Sequence, residues 1–262
     1  MSWFMLHATL LRAVRKLVLM ALIISSLLAI SPESPSAAES GHDTFSKVEF
    51  EKRVRDYLLA NPEVILEALQ ALEARRMAEE QSDGARMIAQ NSAALFQSPD
   101  SPVAGNVTGN VTIVEFFDYN CPYCRSVAQT LNRVIESDGY IRVVFKEFPI
   151  LGPNSVFAAR VALAANAQGR YADFHDRLMS LKGQADEASV FRAASELGLD
   201  LKKLEADMKD PLIDAEIRRN EVLAKSLRIN GTPAFVIGNE VVRGAADLDT
   251  IMTLVQRARN KR

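Results

Sequence analysis

The chain has two cysteines, Cys121 and Cys124, and only Pro122 and Tyr123 separate them. The pair follows an apolar, strand-like run and opens a stretch with a helical pattern. A C-x-x-C between a strand and a helix is typical of a redox-active dithiol. Residues three apart on a helix have side chains about 5–6 Å apart, which is compatible with disulfide geometry. We therefore predict that Cys121 and Cys124 form a redox disulfide.

The position of Cys121 at the start of the predicted helix favours its thiolate. Unpaired N–H groups and the positive end of the helix dipole stabilise an anion there, and the thiolate is the species that reacts in exchange. Two other interpretations are weaker. A structural bridge that closes so short a loop contributes only about 2 kcal/mol, and half of a zinc site needs two more ligands. The histidines outside the leader, His42 and His175, lack ligand spacing, so we predict no metal and no cofactor.

The pattern of apolar residues, caps and turn signals predicts the elements that position the pair. The cysteine-bearing helix lies between two strands, a run of helices follows, and the chain ends in a hairpin and a helix. This order predicts an α/β fold with a helical insertion. The elements are strand 111–118, helix 121–136, strand 141–148, helices within 153–228, strands 234–237 and 241–242, and helix 248–259.

Residues 1–38 have the features of an export signal. Arg12, Arg15 and Lys16 precede an apolar run, 17–30, and small residues follow it at 36–38. The run is shorter than the about 20 residues of a membrane anchor, the alternative. Without 1–38 the chain carries 31 − 3 = 28 basic and 33 − 1 = 32 acidic residues, which does not indicate a nucleic-acid partner. Exported proteins meet oxidising conditions, so we predict a cleaved signal peptide and a periplasmic protein.

Residues 39–97 are predicted to form an N-terminal helical extension, and 98–110 a linker rich in Pro, Gly, Ser and Asn. Asn61-Pro62-Glu63 indicates a helix start within the extension. Ile65, Leu69 and Leu72 fall on one face of that helix, and Gly84 is expected to interrupt it.

A second motif, Gly231-Thr232-Pro233, leads directly into strand 234–237. By itself it predicts only a turn. Together, Cys-Pro-Tyr-Cys after Val-Glu-Phe-Phe-Asp-Tyr-Asn, a helical insertion, and Gly-Thr-Pro-Ala-Phe-Val-Ile-Gly resemble the DsbA family of exported thiol-disulfide oxidoreductases. The resemblance covers about 110–262. It implies a thioredoxin fold with an inserted helical domain, within a domain spanning 111–262.

The resemblance also implies roles for individual residues. Pro233 is expected to be a cis proline beside the cysteines, and the backbone of Thr232 to hold the substrate chain. Glu115 matches an acid thought to help proton transfer beneath the cysteines, and Lys146 is its predicted charge partner. An exposed salt bridge is the alternative for these two. Pro122 and Tyr123 are expected to tune the site, because they set the geometry around the sulfur atoms.

Tyr123 departs from the classical oxidases of the family, which have histidine there. Cys-Pro-Tyr-Cys, with Thr before the proline, is more similar to the periplasmic isomerases and to the copper-stress, ScsC-like subgroup. Some of those proteins form dimers or trimers through an N-terminal helical extension, and segment 44–96 resembles such an extension. The sequence therefore predicts a homodimer or homotrimer through 44–96. The alternative is a pair of amphipathic helices packed on the chain's own catalytic domain.

The predicted function is formation or exchange of disulfides in exported proteins. The leading alternative is an oligomeric isomerase or reductase kept reduced by a membrane electron donor. A copper(I)-binding or holdase protein is a different class, since soft thiolates suit that metal. The resemblance implies a membrane redox partner, either a DsbB-like oxidant or a DsbD-like reductant.

Overall fold

The computed structural model describes residues 46–261, so the predicted signal peptide, 1–38, lies outside the described residues. Within that range no helix combines the length and the apolar character needed to cross a membrane. In chain order the elements are α1 (Lys47–Ala60), α2 (Glu63–Gln90), α3 (Ser92–Phe96), β1 (Val103–Gly105), β2 (Val111–Phe117), α4 (Pro122–Ser137), β3 (Ile141–Glu147), α5 (Pro153–Asn166), α6 (Tyr171–Met179), α7 (Glu187–Glu196), α8 (Leu201–Asp207), α9 (Pro211–Ser226), β4 (Ala234–Ile237), β5 (Glu240–Arg243) and α10 (Leu248–Asn260).

The strands form one mixed sheet in the order β1-β3-β2-β4-β5. Strands β2 and β3 are parallel and are joined by α4, while the other neighbouring pairs are antiparallel. Strand β4 reverses into β5 through Gly238 and Asn239, and Gly238 has a φ of 58°. A Cβ on Gly238 would lie 2.9 Å from Ala258, so both the backbone and the packing require glycine. The predicted α/β fold with a helical insertion is confirmed.

Alternation along β2 and β3 gives the sheet two buried faces. On one face, residues such as Ile113, Phe117 and Phe145 pack in a core that includes Cys124 and the insertion helices. On the other, Val114 and Phe116 belong to a second cluster. The members from outside the sheet that complete this second cluster are Ile88, Leu95, Phe148, Leu223, Ala224, Leu227 and Ile229. Both faces are therefore covered, as a sheet with central parallel strands requires.

The inserted helices begin where their caps predict. Aspartate side chains accept backbone N–H bonds at the starts of α7, α8, α9 and α10, and proline occupies the first turn of α5 and α9. These caps satisfy donors that a helix N-terminus otherwise leaves unpaired. The helical block runs from Pro153 to Ser226, close to the predicted 153–228.

The chain divides into a unit that ends at Leu66 and a unit that begins at Glu67. In the first unit, α1 has no buried residue. The predicted helix start at 61–63 is confirmed, because α2 begins at Glu63.

Two local expectations were wrong. Helix α2 continues through Gly84 to Gln90, since one glycine costs a helix only about 1 kcal/mol. Segment 98–110 contains β1, which pairs with β3 at the sheet edge. That strand is three residues long and owes its structure to its partner rather than to a pattern of its own.

Candidate active site

Cys121 is the N-cap residue of α4, and Pro122 occupies the first turn. The backbone N–H of Cys121 donates to the Asp118 carbonyl at 3.1 Å, which fixes the turn between β2 and α4. Cys121 is 4% exposed and Cys124 is fully buried, and both are free thiols in this structure. The cysteine at the helix start is therefore the one that lies nearer to solvent.

The turn before β4 meets this cysteine. The peptide bond between Thr232 and Pro233 is cis, as the resemblance implies. The Cys121 thiol donates to the Thr232 carbonyl oxygen, with an Sγ–O distance of 3.3 Å. Residues 111 positions apart in the chain thus come together, because β4 pairs with β2, the strand that leads into the dithiol.

The side chains between the cysteines point outward. Pro122 is exposed, and 66% of Tyr123 is exposed. Tyr123 is thus placed to contact a molecule that approaches the dithiol. The tuning role predicted for both residues stays a prediction.

Glu115 lies on β2 beneath the dithiol and is 1% exposed. Among the described residues, neither of its carboxyl oxygens has a hydrogen-bond partner. Burial, and then the charge of Asp176, raises the pKa of Glu115 from 4.5 to about 8. The side chain is therefore largely neutral at pH 7, and it can gain or lose a proton near physiological pH.

Burial also raises the pKa of Cys124. A negative charge on Glu115 raises it further, whereas hydrogen bonds from Asp118 and Thr232 act in the opposite direction. Glu115 shares its face of β2 with Ile113 and Phe117, which belong to the same core cluster as Cys124. Cys124 is thus held as a protonated thiol unless a base accepts its proton.

The predicted ion pair between Glu115 and Lys146 is wrong. In the parallel register Glu115 lies opposite Phe145, and Phe116 lies opposite Lys146. Successive side chains of a strand point to opposite faces, so the sheet separates the two groups. The Lys146 ammonium instead donates to Ala94 O and Ser101 Oγ, each at 2.7 Å, and Ser101 donates to Glu216 at 2.7 Å.

Burial lowers the pKa of Lys146 to about 8, so Lys146 remains mostly charged at pH 7 within a structural network. Lys146→Met should cost about 2–4 kcal/mol of stability, because it leaves the acceptors Ala94 O and Ser101 Oγ without their donor and removes the positive charge near Glu216. It should not change the redox potential of the dithiol, since the sheet lies between them. Urea unfolding and a glutathione titration measure the two quantities. Arg142→Met, which loses one bond to Phe96 O, is the control on the same strand and should cost less. A shifted potential would restore a role for Lys146 in the site.

A second buried acid, Glu147, was missed by the sequence analysis. Its Oε1 accepts hydrogen bonds from Tyr119 at 3.0 Å and from Tyr171 at 2.7 Å, and the Tyr119 hydroxyl lies 3.2 Å from His175 Nδ1. Burial raises the pKa values of Glu147, Tyr119 and Tyr171 and lowers that of His175 to about 3. His175 is therefore neutral. The cluster holds Tyr119, which lies two residues before Cys121.

One signal for this cluster was present. Tyr171 and His175 are four residues apart and therefore share a helix face. Nothing local showed that this face would meet the end of β3.

Asp118 was missed as well. Its carboxylate accepts from the backbone N–H groups of Asn120 at 2.8 Å and Leu151 at 2.9 Å, which ties the loop before the dithiol to the segment after β3.

No group of three or more His, Cys, Asp or Glu side chains in residues 46–261 is arranged to hold a metal ion.

Comparison with known proteins relates both parts of the chain to described families. A family model described as a DSBA-like thioredoxin domain matches residues 112–256. A second, described as the N-terminal domain of the copper resistance protein ScsC, matches residues 47–79.

Two solved structures illustrate the likeness. A thioredoxin-like oxidoreductase from Silicibacter pomeroyi DSS-3 is 46% identical, and the match covers 64% of this chain and 97% of that one with a TM-score of 0.63. Proteus mirabilis ScsC in a transitional conformation is 29% identical, with coverage of 82% and 97% and a TM-score of 0.63.

A curated relative is much longer than this chain. The Na(+)/H(+) antiporter NhaA 3 of Salinispora tropica is 27% identical over 158 residues, which are 60% of this chain and 24% of that protein. The chain spans about a quarter of the length of the curated relatives that it matches first.

Proposed function

Because the chain belongs to the family of DSBA-like thioredoxin domains, we propose that it is a thiol-disulfide oxidoreductase whose reactive pair is Cys121 and Cys124. One observation carries the proposal. The Cys121 sulfur lies at the N-terminus of α4 and contacts the carbonyl of the cis Thr232–Pro233 turn. A thiol at a helix start, beside a backbone segment able to bind another chain, is suited to thiol-disulfide exchange with a protein.

In the oxidising direction a substrate thiolate attacks Cys121 Sγ of the Cys121–Cys124 disulfide. An S–S bond forms between substrate and Cys121, and Cys124 leaves as a thiolate that takes up a proton. A second substrate thiolate then attacks the substrate sulfur and displaces Cys121. The substrate is oxidised by two electrons and the dithiol is reduced by two.

In isomerisation the reduced Cys121 attacks a wrong substrate disulfide and releases one substrate thiolate. Either another substrate thiol or Cys124 then resolves the mixed disulfide. Attack by Cys124 requires loss of its proton, which burial opposes. Glu115 is the group proposed to take that proton, since it faces the core that contains Cys124 and its pKa is raised to about 8.

Thr232 and Pro233 are proposed to hold the substrate. The Thr232 carbonyl lies within 3.3 Å of Cys121 Sγ, so an extended substrate chain bonded to Cys121 passes beside it. Backbone groups at this turn can bind any sequence, which suits an enzyme with many protein substrates. The exposed Tyr123 adds an apolar surface at the same opening.

The direction of the reaction is tested by two assays on one preparation. Oxidation is followed with a reduced, unfolded substrate, and isomerisation with a scrambled one. A redox potential near about −120 mV, the value for a strong oxidase, would support formation of disulfides. A markedly lower potential, with activity only on the scrambled substrate, would support the isomerase or reductase alternative.

The proposed location is the periplasm, on the basis of the signal-like residues 1–38. The substrates would then be exported proteins with thiols or unstable disulfides. Lasting activity requires a membrane partner that restores the dithiol, either a DsbB-like oxidant or a DsbD-like reductant. Labelling of mature protein in a bacterial host, followed by mass analysis of its N-terminus, tests cleavage after residue 38.

We further propose that segment 44–96 joins copies of the chain. Phe50, Val54 and Tyr57 recur on one face of α1, and Ile65, Leu69 and Leu72 recur on one face of α2. All six side chains are exposed, and apolar faces of this kind mark protein interfaces. The match of 47–79 to the ScsC N-terminal domain supports the same segment.

Light scattering on the mature chain tests this assembly. We expect a dimer or trimer, and we expect Phe50→Glu combined with Val54→Glu to yield monomers, because two charges cannot be buried in an apolar interface. Glu51→Gln on the same helix is the control and should leave the assembly intact. A monomeric mature chain, or an unaffected double variant, would contradict the proposal.

A further inference from the structure

The loop 181–185 joins α6 to α7 in the helical insertion and has no helix or strand of its own. Lys182, Gly183 and Gln184 are exposed, whereas Ala185 is buried. Two side chains from the dithiol segment hold this loop. They belong to Asn120, the residue directly before Cys121, and to Arg125, the residue directly after Cys124.

Arg125 connects two separate backbone segments. Its Nε donates to the Tyr119 carbonyl at 2.7 Å, and its Nη1 donates to the carbonyls of Leu181, at 3.2 Å, and Gly183. A guanidinium has donors on a rigid planar fork and can satisfy acceptors in several directions at once. The ammonium of a lysine cannot span the same three carbonyls. Arg125 therefore ties the start of the dithiol turn to the loop.

Asn120 makes the second connection. Its Oδ1 accepts the Ala185 N–H at 2.7 Å, and its Nδ2 donates to Ser155 Oγ at 3.2 Å. Residues on both sides of the C-x-x-C thus reach the insertion. Cys121 itself contacts the Thr232 carbonyl. The dithiol segment is therefore joined to two parts of the chain, the Thr232–Pro233 turn through Cys121 and the loop 181–185 through Asn120 and Arg125.

We propose that Arg125 is a positioning residue that holds the loop 181–185 in place as one wall of the cleft for protein substrates. This inference rests on the proposed oxidoreductase function, which it deepens. The loop presents exposed side chains and backbone groups to an extended polypeptide, and the fork of Arg125 fixes their distance from the dithiol. Asn120, which precedes the cysteines in the sequence, holds the same loop through its bond to the Ala185 N–H.

A direct electrostatic role is the competing explanation. Burial lowers the pKa of Arg125, while the charges of Asp118 and Cys121 raise it, so the guanidinium could act through its charge on a Cys121 thiolate. Lysine keeps a positive charge at this position but loses the fork. Arg125→Lys therefore separates a role in holding the loop from a role in stabilising the thiolate.

In Arg125→Lys we expect KM for a protein substrate to rise about tenfold, which corresponds to about 1.4 kcal/mol. The rate of exchange with glutathione disulfide and the redox potential should stay unchanged, because a small disulfide does not need the loop. Hydrogen exchange at the Ala185 amide should be faster. Arg133→Lys is the control on the same helix, where the exposed side chain donates to Thr130 Oγ1, and it should change none of these.

Asn120→Ala provides a second variant should Arg125→Lys fold poorly, and it should raise KM and Ala185 exchange in the same way. An unchanged KM together with unchanged amide exchange would overturn the inference. So would a parallel loss of reaction with glutathione disulfide, which would assign Arg125 to the thiolate. Inactivity of the wild-type chain towards glutathione disulfide would instead contradict the proposed function, and amide exchange would still decide whether Arg125 holds the loop.

Discussion

Replacing Cys121 with alanine should reduce exchange on a protein substrate by at least about a thousandfold, to the rate without enzyme. The reason is that Cys121 has the sulfur at the helix start, beside Thr232, whereas Cys124 is fully buried. Without Cys121 no mixed disulfide forms. Refolding of a scrambled substrate and oxidation of a reduced one both measure the loss. Thermal unfolding shows whether the variant is folded, and we expect a change of about 1 kcal/mol or less.

Cys124→Ala is the matched control, because it also removes one thiol. It keeps the nucleophile and loses the group that releases a trapped substrate, so the covalent adduct with substrate should accumulate. Mass spectrometry under non-reducing conditions detects the adduct. Accumulation in Cys121→Ala instead of Cys124→Ala would reverse the roles assigned to the two cysteines. Full activity of Cys121→Ala on scrambled substrate would contradict the catalytic role of Cys121.

The parts of the fold that the sequence predicted correctly are those with local signals. The apolar run at 111–117, aspartate caps and prolines in first turns predicted element bounds to within one or two residues. The two motifs, separated by more than 100 residues, could be related to each other only through a family resemblance. Local patterns do not show that β4 pairs with β2.

Apart from the helix break expected at Gly84, the errors arose where the answer depends on register or on partners distant in the chain. Glu115 and Lys146 lie on adjacent strands, and a shift of one residue in register would place them on the same face. The contacts of Glu147 with Tyr119 and Tyr171, and those of Arg125 with the loop 181–185, join segments that only the tertiary structure brings together. Single-sequence patterns carry no information on such pairs.

The orphaned carboxyl of Glu115 should make the protein less stable as pH rises from about 4.5 to about 8. Its folded-state pKa of about 8 exceeds the ordinary 4.5 of an unfolded chain, so the folded protein holds a proton that the unfolded chain has already lost. The cost of ionising Glu115 is therefore absent below that window and fully present above it. At about 1.36 kcal/mol for each pKa unit, the difference corresponds to at most roughly 5 kcal/mol.

Glu115→Gln removes the titration but keeps the shape of the protonated side chain. The stability difference between variant and wild type should therefore be small at pH 5 and should favour the variant by a few kcal/mol at pH 8.5. Urea unfolding across this pH range measures this difference in the free energy of unfolding. Because both proteins contain Glu147 and His175, the contributions of these two residues to the pH dependence cancel in the difference. Glu136→Gln, an exposed substitution on α4, should follow the wild type at every pH. A difference that is constant with pH would show that Glu115 is charged throughout or finds a partner, and the proton acceptor for Cys124 would then have to be another group.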